Sequence, residues 1–228
     1  MKKSILMVCV TVVFSMHTFA QQAEEKEALQ GNVSTELSSL ILAGDLVKYG
    51  YARQEALPLI QALQIIVQTP TQDLNSDKEG DGVDTSDSTG KTGTITLDYD
   101  QILADAKEFA MGDEVLTRLI AQVESEETEI TRGALNGPRS AREVVKGNGT
   151  DTYQISFVAN YLAEVAVIGD GDTDLDLYVY DSNGNLIESD TDYTDVCYVC
   201  WVPKWTGRFI IKVVNRGPVY NRYVIATN

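Results

Sequence analysis

The chain has 228 residues, 34 acidic against 18 basic, and a formal charge of −16, which disfavours nucleic acid and anionic membrane surfaces as partners, since binding them starts with neutralising phosphate. Its one histidine is His17, so past that position Ser-His-Asp and Cys-His catalysis are excluded and catalytic zinc is disfavoured, because all of them draw on imidazole. Carboxylate-pair hydrolysis survives, needing only two Asp or Glu residues across a cleft.

In chain order, residues 1–20 read as a secretory signal: Lys2 and Lys3, an apolar run, then Thr18-Phe19-Ala20. The run is too short to span a membrane. The expected product starts at Gln21, lies outside the cytoplasm in the periplasm or medium, has no membrane insertion, and has lost the only histidine together with two lysines.

Residues 21–131 carry a helical apolar period. Ser34 stands as an N-cap with Glu36 in the first turn, and Leu37, Leu40, Ile41, Leu46 and Val47 share one face of a helix ending near Tyr49. A second helix follows, with Pro58 in its first turn and Leu59, Ile60, Leu63, Ile66 and Val67 as its buried stripe. Residues 71–94 are almost wholly Gly, Ser, Thr, Asp and Asn, and composition predicts a disordered acidic loop. Two further helices, "YDQILADAKEFAM" and "EVLTRLIAQVES", complete two hairpins packed as a small bundle.

Beyond a linker at 132–140 the period changes to two. Residues 141–228 read as short strands separated by turn signals, from "REVVKG" to "NRYVIATN", which indicates an antiparallel β-sandwich or jelly roll and an α+β fold overall. In "VCYVCWV" the strand flanks argue against a redox C-x-x-C. Cys197 and Cys200 are expected to be unbonded, one in the core and one outside, because residues three apart on a strand stand about 10 Å apart.

The stretches "DTYQISF", "AEVAVIGDGDTDLDLYVYDSNGNLIESD" and "WTGRFIIKVVN", closed by "YNRYVIATN", resemble the bacterial pre-peptidase C-terminal domain. The resemblance spans residues 141–228. It implies a β-sandwich serving as a non-catalytic accessory module, one that in some relatives binds calcium or an extracellular polymer.

Within "GDGDTDLDLYVYDSNGN" an EF-hand register fails, because Leu175 stands where the turn glycine is required and Asp181 where the closing Glu is required. Read as a hairpin, Leu175, Leu177 and Val179 face the core and Asn183-Gly184 makes the turn. Its two ends then bring Asp172 and Asp174 towards Asp190 and Asp192, a rim that is either open to solvent or screened by calcium. Trp201, Trp205, Phe209 and Tyr220 either stack on carbohydrate or fill the core. The expected role is a secreted binding or structural accessory protein, with an extracellular or periplasmic protein or glycan as partner; the alternative is a glycan hydrolase using rim carboxylates.

Overall fold

In the computed structural model, residues 34–82, 97–130 and 137–228 are described. The expected signal segment at residues 1–20, residues 83–94 of the acidic loop and residues 132–136 of the linker lie outside them. Ser34 opens the first helix as expected: its Oγ accepts the Leu37 N–H, and α1 runs Thr35–Arg53, past the expected end, to a left-handed Gln54. After α2 (Ala56–Gln68), with Pro58 in its first turn, come α3 (Tyr99–Phe109), capped by Asp98, and α4 (Glu114–Ile130). Among the described residues no helix is long and apolar enough to cross a membrane.

The polar stretch expected to be disordered over 71–94 is ordered in its first part, where Gln72–Asp73 forms β1 and Lys78–Gly80 forms β2. Composition misled here because a short edge strand needs little apolar surface of its own. It borrows order from an existing sheet: β1 pairs in parallel with β3 (Arg139–Val145), and β2 pairs antiparallel with β4 (Thr150–Phe157).

The remaining strands are β5 (Ala163–Gly169), β6 (Leu175–Tyr180), β7 (Leu186–Asp190), β8 (Val196–Trp201), β9 (Gly207–Asn215) and β10 (Asn221–Thr227). They complete two five-stranded sheets, ordered β1-β3-β10-β5-β8 and β2-β4-β9-β6-β7. Alternate residues of both sheets meet in the sandwich core, where Phe157 stands edge-on to Trp201 and Phe209. The helices form a third layer. Their core takes in Ile168 from β5 and Val224 and Ala226 from β10. Close approach at this seam depends on Gly44, where a Cβ would come within 2.5 Å of the Ile168 Cγ2.

Cys197 and Cys200 are not joined in a disulfide, and both are buried, where one was expected outside. Cys197 lies in the sandwich core, its thiol donating to the Leu175 carbonyl (3.0 Å). Cys200 faces the other side of β8, opposite Glu164 in the register, and that face is covered because Glu164 accepts the Ser34 N–H at the start of α1 (2.7 Å). Burial pushes the Cys197 thiol well above its usual range. The native protein is therefore expected to resist a thiol reagent, and full unfolding to release both groups; rapid labelling of the native state would contradict this packing.

Candidate functional site

The acidic rim forms where the chain leaves β5 for β6 and leaves β7 for β8. The hairpin does return its end to its beginning: the Leu175 N–H donates to the Thr194 carbonyl (3.0 Å), and the Gly169 N–H to the Asp195 carbonyl (2.8 Å). Its turn is longer than the expected Asn183-Gly184 pair. Only Gly184 takes a positive φ there, at 83°. The loop is held instead by the Asp181 carboxylate, which accepts from the Asn183 and Asn185 N–H groups and from the Asn185 amide (each about 2.8 to 2.9 Å). These bonds, the Asn185 side chain first, hold the Asp181 carboxyl below its usual range.

Most rim carboxylates have structural partners. Asp170, 2% exposed, accepts the Asp172 N–H and the Arg222 N–H. Asp195 accepts the Gly171 N–H on one oxygen and the Lys48 ammonium on the other (2.6 Å), which straps α1 to the rim. Asp176 is held by the Arg216 Nε (2.6 Å) and by the Tyr178 hydroxyl (2.9 Å). Asn221, fully buried, accepts the Asp170 N–H and donates to Thr173.

The four residues expected to converge do so in part. Asp172 and Asp174 line a hollow of about 270 Å³ together with Tyr193, Thr194 and Asp195. Asp192 stands near enough for its charge to raise the Asp174 carboxyl, while one of its own oxygens accepts both the Thr194 N–H and hydroxyl. Asp190 turns away and accepts the Tyr198 N–H on β8 (2.9 Å). Among the described residues, no three Asp, Glu, His or Cys side chains are grouped to hold a metal ion by themselves. At the rim, Asp174 Oδ1 is buried without a hydrogen bond. Burial, then the Asp176 and Asp192 charges, push this carboxyl above its usual range.

Sequence reasoning weighed Asp170 only in the EF-hand register that fails, and missed Asp195 and the two cations Lys48 and Arg216. Asp195 was visible as the last acid of "SDTDYTD"; Lys48, on a polar face of α1, carried no signal that it would reach the rim. The aromatic platform does not form as a group. Trp201 and Phe209 are core residues, while Trp205, 40% exposed, lies stacked on Phe209 at 5.5 Å, and the Arg222 guanidinium covers the Tyr220 ring.

No protein-family model matches the sequence. No curated protein matches it. Among solved structures the chain is similar to the pre-peptidase C-terminal domain of a collagenase from Bacillus anthracis, at 10% identity and a TM-score of 0.32, over 39% of this chain and 87% of that one. It is similar as well to PliG of Aeromonas hydrophila, a periplasmic inhibitor of g-type lysozyme, at 14% identity and a TM-score of 0.32, over 40% and 84%. A third is TmCBM61 in complex with β-1,4-galactotriose, at 15% identity and a TM-score of 0.26, over 43% and 92%. These are likenesses of the sandwich and bear on nothing else.

Proposed function

We propose that this is a secreted, non-catalytic accessory protein whose sandwich serves binding or structural support. The observation that carries the reading is the employment of the rim carboxylates: Asp170, Asp176, Asp190, Asp192 and Asp195 accept from backbone amides, hydroxyls or internal cations and thereby fix loops. A glycan hydrolase needs two carboxyls free to face a substrate, one as acid and one as nucleophile or base. At the rim, Asp174 Oδ1 is buried without a hydrogen bond and the carboxyl is raised, whereas the five carboxylates above are engaged in holding loops. Cleavage of a glycan by the purified protein, abolished by Asp174→Asn, would overturn the reading.

Calcium enters the same proposal as a weak stabiliser at Asp172 and Asp174, supported by the unpartnered Asp174 oxygen and the hydroxyl-bearing Thr173 and Thr194 beside it. Calcium accepts hydroxyl, carbonyl and water oxygens, and extracellular modules bind it at roughly 10⁻⁴ to 10⁻³ M. Ten-millimolar calcium is expected to raise the melting temperature more than magnesium does, because magnesium demands a tighter octahedron. Asp174→Asn should remove the calcium-specific part. Without calcium this variant should melt at the same temperature or higher at neutral pH: a carboxyl whose folded pKa is raised binds extra protons when folded, so its contribution worsens as pH rises from the unfolded value through the folded one. Equal shifts with both metals, or a calcium response that survives the substitution, would remove calcium from the proposal.

A further inference from the structure

We propose that the end of the sandwich opposite the acidic rim binds an uncharged oligosaccharide chain; the inference deepens the binding-module reading and rests on it. Strand β5 runs from this end, at Ala163, to the rim at Gly169. Here two hollows of about 520 and 600 Å³ adjoin, sharing Arg139 and Ser156 in their walls. The groove exists because β2 pairs only with Asp151, Thr152 and Tyr153, leaving the rest of β4 uncovered by a neighbouring strand on that side.

The two halves of the groove differ in chemistry in the way a sugar chain requires. One presents apolar surface, with Tyr161 71% and Val158 57% exposed at its mouth. The other presents planar and hydroxyl groups: Asn75, Ser76, Gln154, Ser156, Arg139 and Arg208. A pyranose has the same division, with C–H faces that lie against apolar surface and a girdle of hydroxyls that pair with amides and guanidiniums. The loop carrying Tyr161 is fixed before any ligand arrives, since the Ala159 N–H donates to Thr206 Oγ1 (2.9 Å) and the Asn160 N–H to the Pro203 carbonyl (2.8 Å). Such preorganisation reduces the entropy lost on binding.

Charge selects a neutral chain over an acidic one. Asp77 shares the polar hollow with the two arginines, Arg208 reaches the Gln154 amide oxygen, Arg139 reaches the Asn228 carbonyl oxygen, and the chain as a whole is at −16. A peptide added as a strand along β4 is the competing occupant. It is disfavoured because the Ser76 hydroxyl already donates to the Gln154 carbonyl (3.2 Å).

The test titrates the full mature chain with cellohexaose, xylohexaose, mannohexaose and β-1,4-galactohexaose, followed by calorimetry and by amide chemical shifts. At least one sugar is expected to bind at sub-millimolar concentration and to shift Gln154 to Leu162 and Arg208. Tyr161→Ala and Arg208→Ala should each weaken it about tenfold or more. No binding by any of the four sugars up to 10 mM, shifts confined to other surfaces, or variants that bind as the parent does would overturn the inference. Binding of an extended peptide in the groove in place of sugar would overturn the ligand class and leave the binding-module reading standing, whereas shortened sugar products would overturn that reading itself.

Discussion

Ile168→Ala is expected to lower the melting temperature of the whole protein by roughly 5 to 15 °C, in a single transition. Ile168 is fully buried in the helical core although it belongs to β5, a central strand of its sheet. Truncating a buried isoleucine costs about 2 to 5 kcal/mol, and in a protein of this size each kcal/mol moves the midpoint by about 2 to 4 °C. Gly44→Leu should act in the same direction from the other side of the seam, because any Cβ there meets Ile168. By the same packing, a fragment beginning near Ala134 is expected to lose cooperative folding: it would expose Ile168, Val224 and Ala226, strip β1 and β2 from two sheet edges, and leave the Glu164 carboxylate without the Ser34 N–H. Circular dichroism and calorimetry of the fragment check this. A sharp, reversible melt near that of the full chain would show that the sandwich stands alone.

Lys78→Met is expected to cost about 3 to 5 kcal/mol at neutral pH and much less near pH 4. Lys78 lies on β2 and pairs with Glu143 (2.7 Å) and with Asp151 (3.2 Å), which is 2% exposed. Asp151 also accepts the Tyr223 hydroxyl (2.7 Å), and that hydroxyl is hydrogen-bonded to Tyr153. Burial alone would lower the Lys78 ammonium, but the bonds to Glu143 and Asp151 outweigh it and keep the group charged. Burial pushes the Asp151 carboxyl up, against the lowering effect of Tyr223 and Lys78. Without Lys78 the folded pKa of Asp151 rises further above its unfolded value of about 3.9. A group shifted in that direction destabilises the fold progressively as pH climbs from the unfolded to the folded pKa, and costs nothing below both. Urea melts of parent and variant at several pH values should therefore converge in acid and separate towards pH 8. A penalty that is equally large at pH 4 would show that the loss is of strand packing and not of charge.

The helices, the eight strands after residue 137 and the α+β class were legible because each carries a period that burial imposes: 3.6 on α1 to α4, and 2 on β4 and β9. The third layer was not read from the sequence, although one strand carried a signal for it. Strand β5 reads "AEVAVIG", buried at every position, and a strand apolar on both faces is covered on both. Glu164, its one charge, is hidden because α1 begins on top of it. The first part of the acidic loop was illegible for the opposite reason: β1 and β2 are held by partners more than 60 residues away in the sequence, and nothing local marks them. At the rim, sequence located Asp172, Asp174, Asp190 and Asp192 but neither Asp195 nor the way the carboxylates are employed. The number of acids suggested a cation, whereas Asp170, Asp176, Asp190, Asp192 and Asp195 each accept from amides, hydroxyls or the cations Lys48 and Arg216. The groove at the other end was invisible, since it arises from where β2 stops.

The non-catalytic claim is tested most directly by one incubation: the chain from Gln21 onward, millimolar calcium and the hexasaccharide panel, held for several days, with every sugar then weighed by mass spectrometry in the free and protein-bound fractions. All four sugars are expected back at full length, with at least one enriched in the bound fraction. Chains shortened by the parent and left intact by Asp174→Asn would contradict the claim and place the chemistry at the acidic rim.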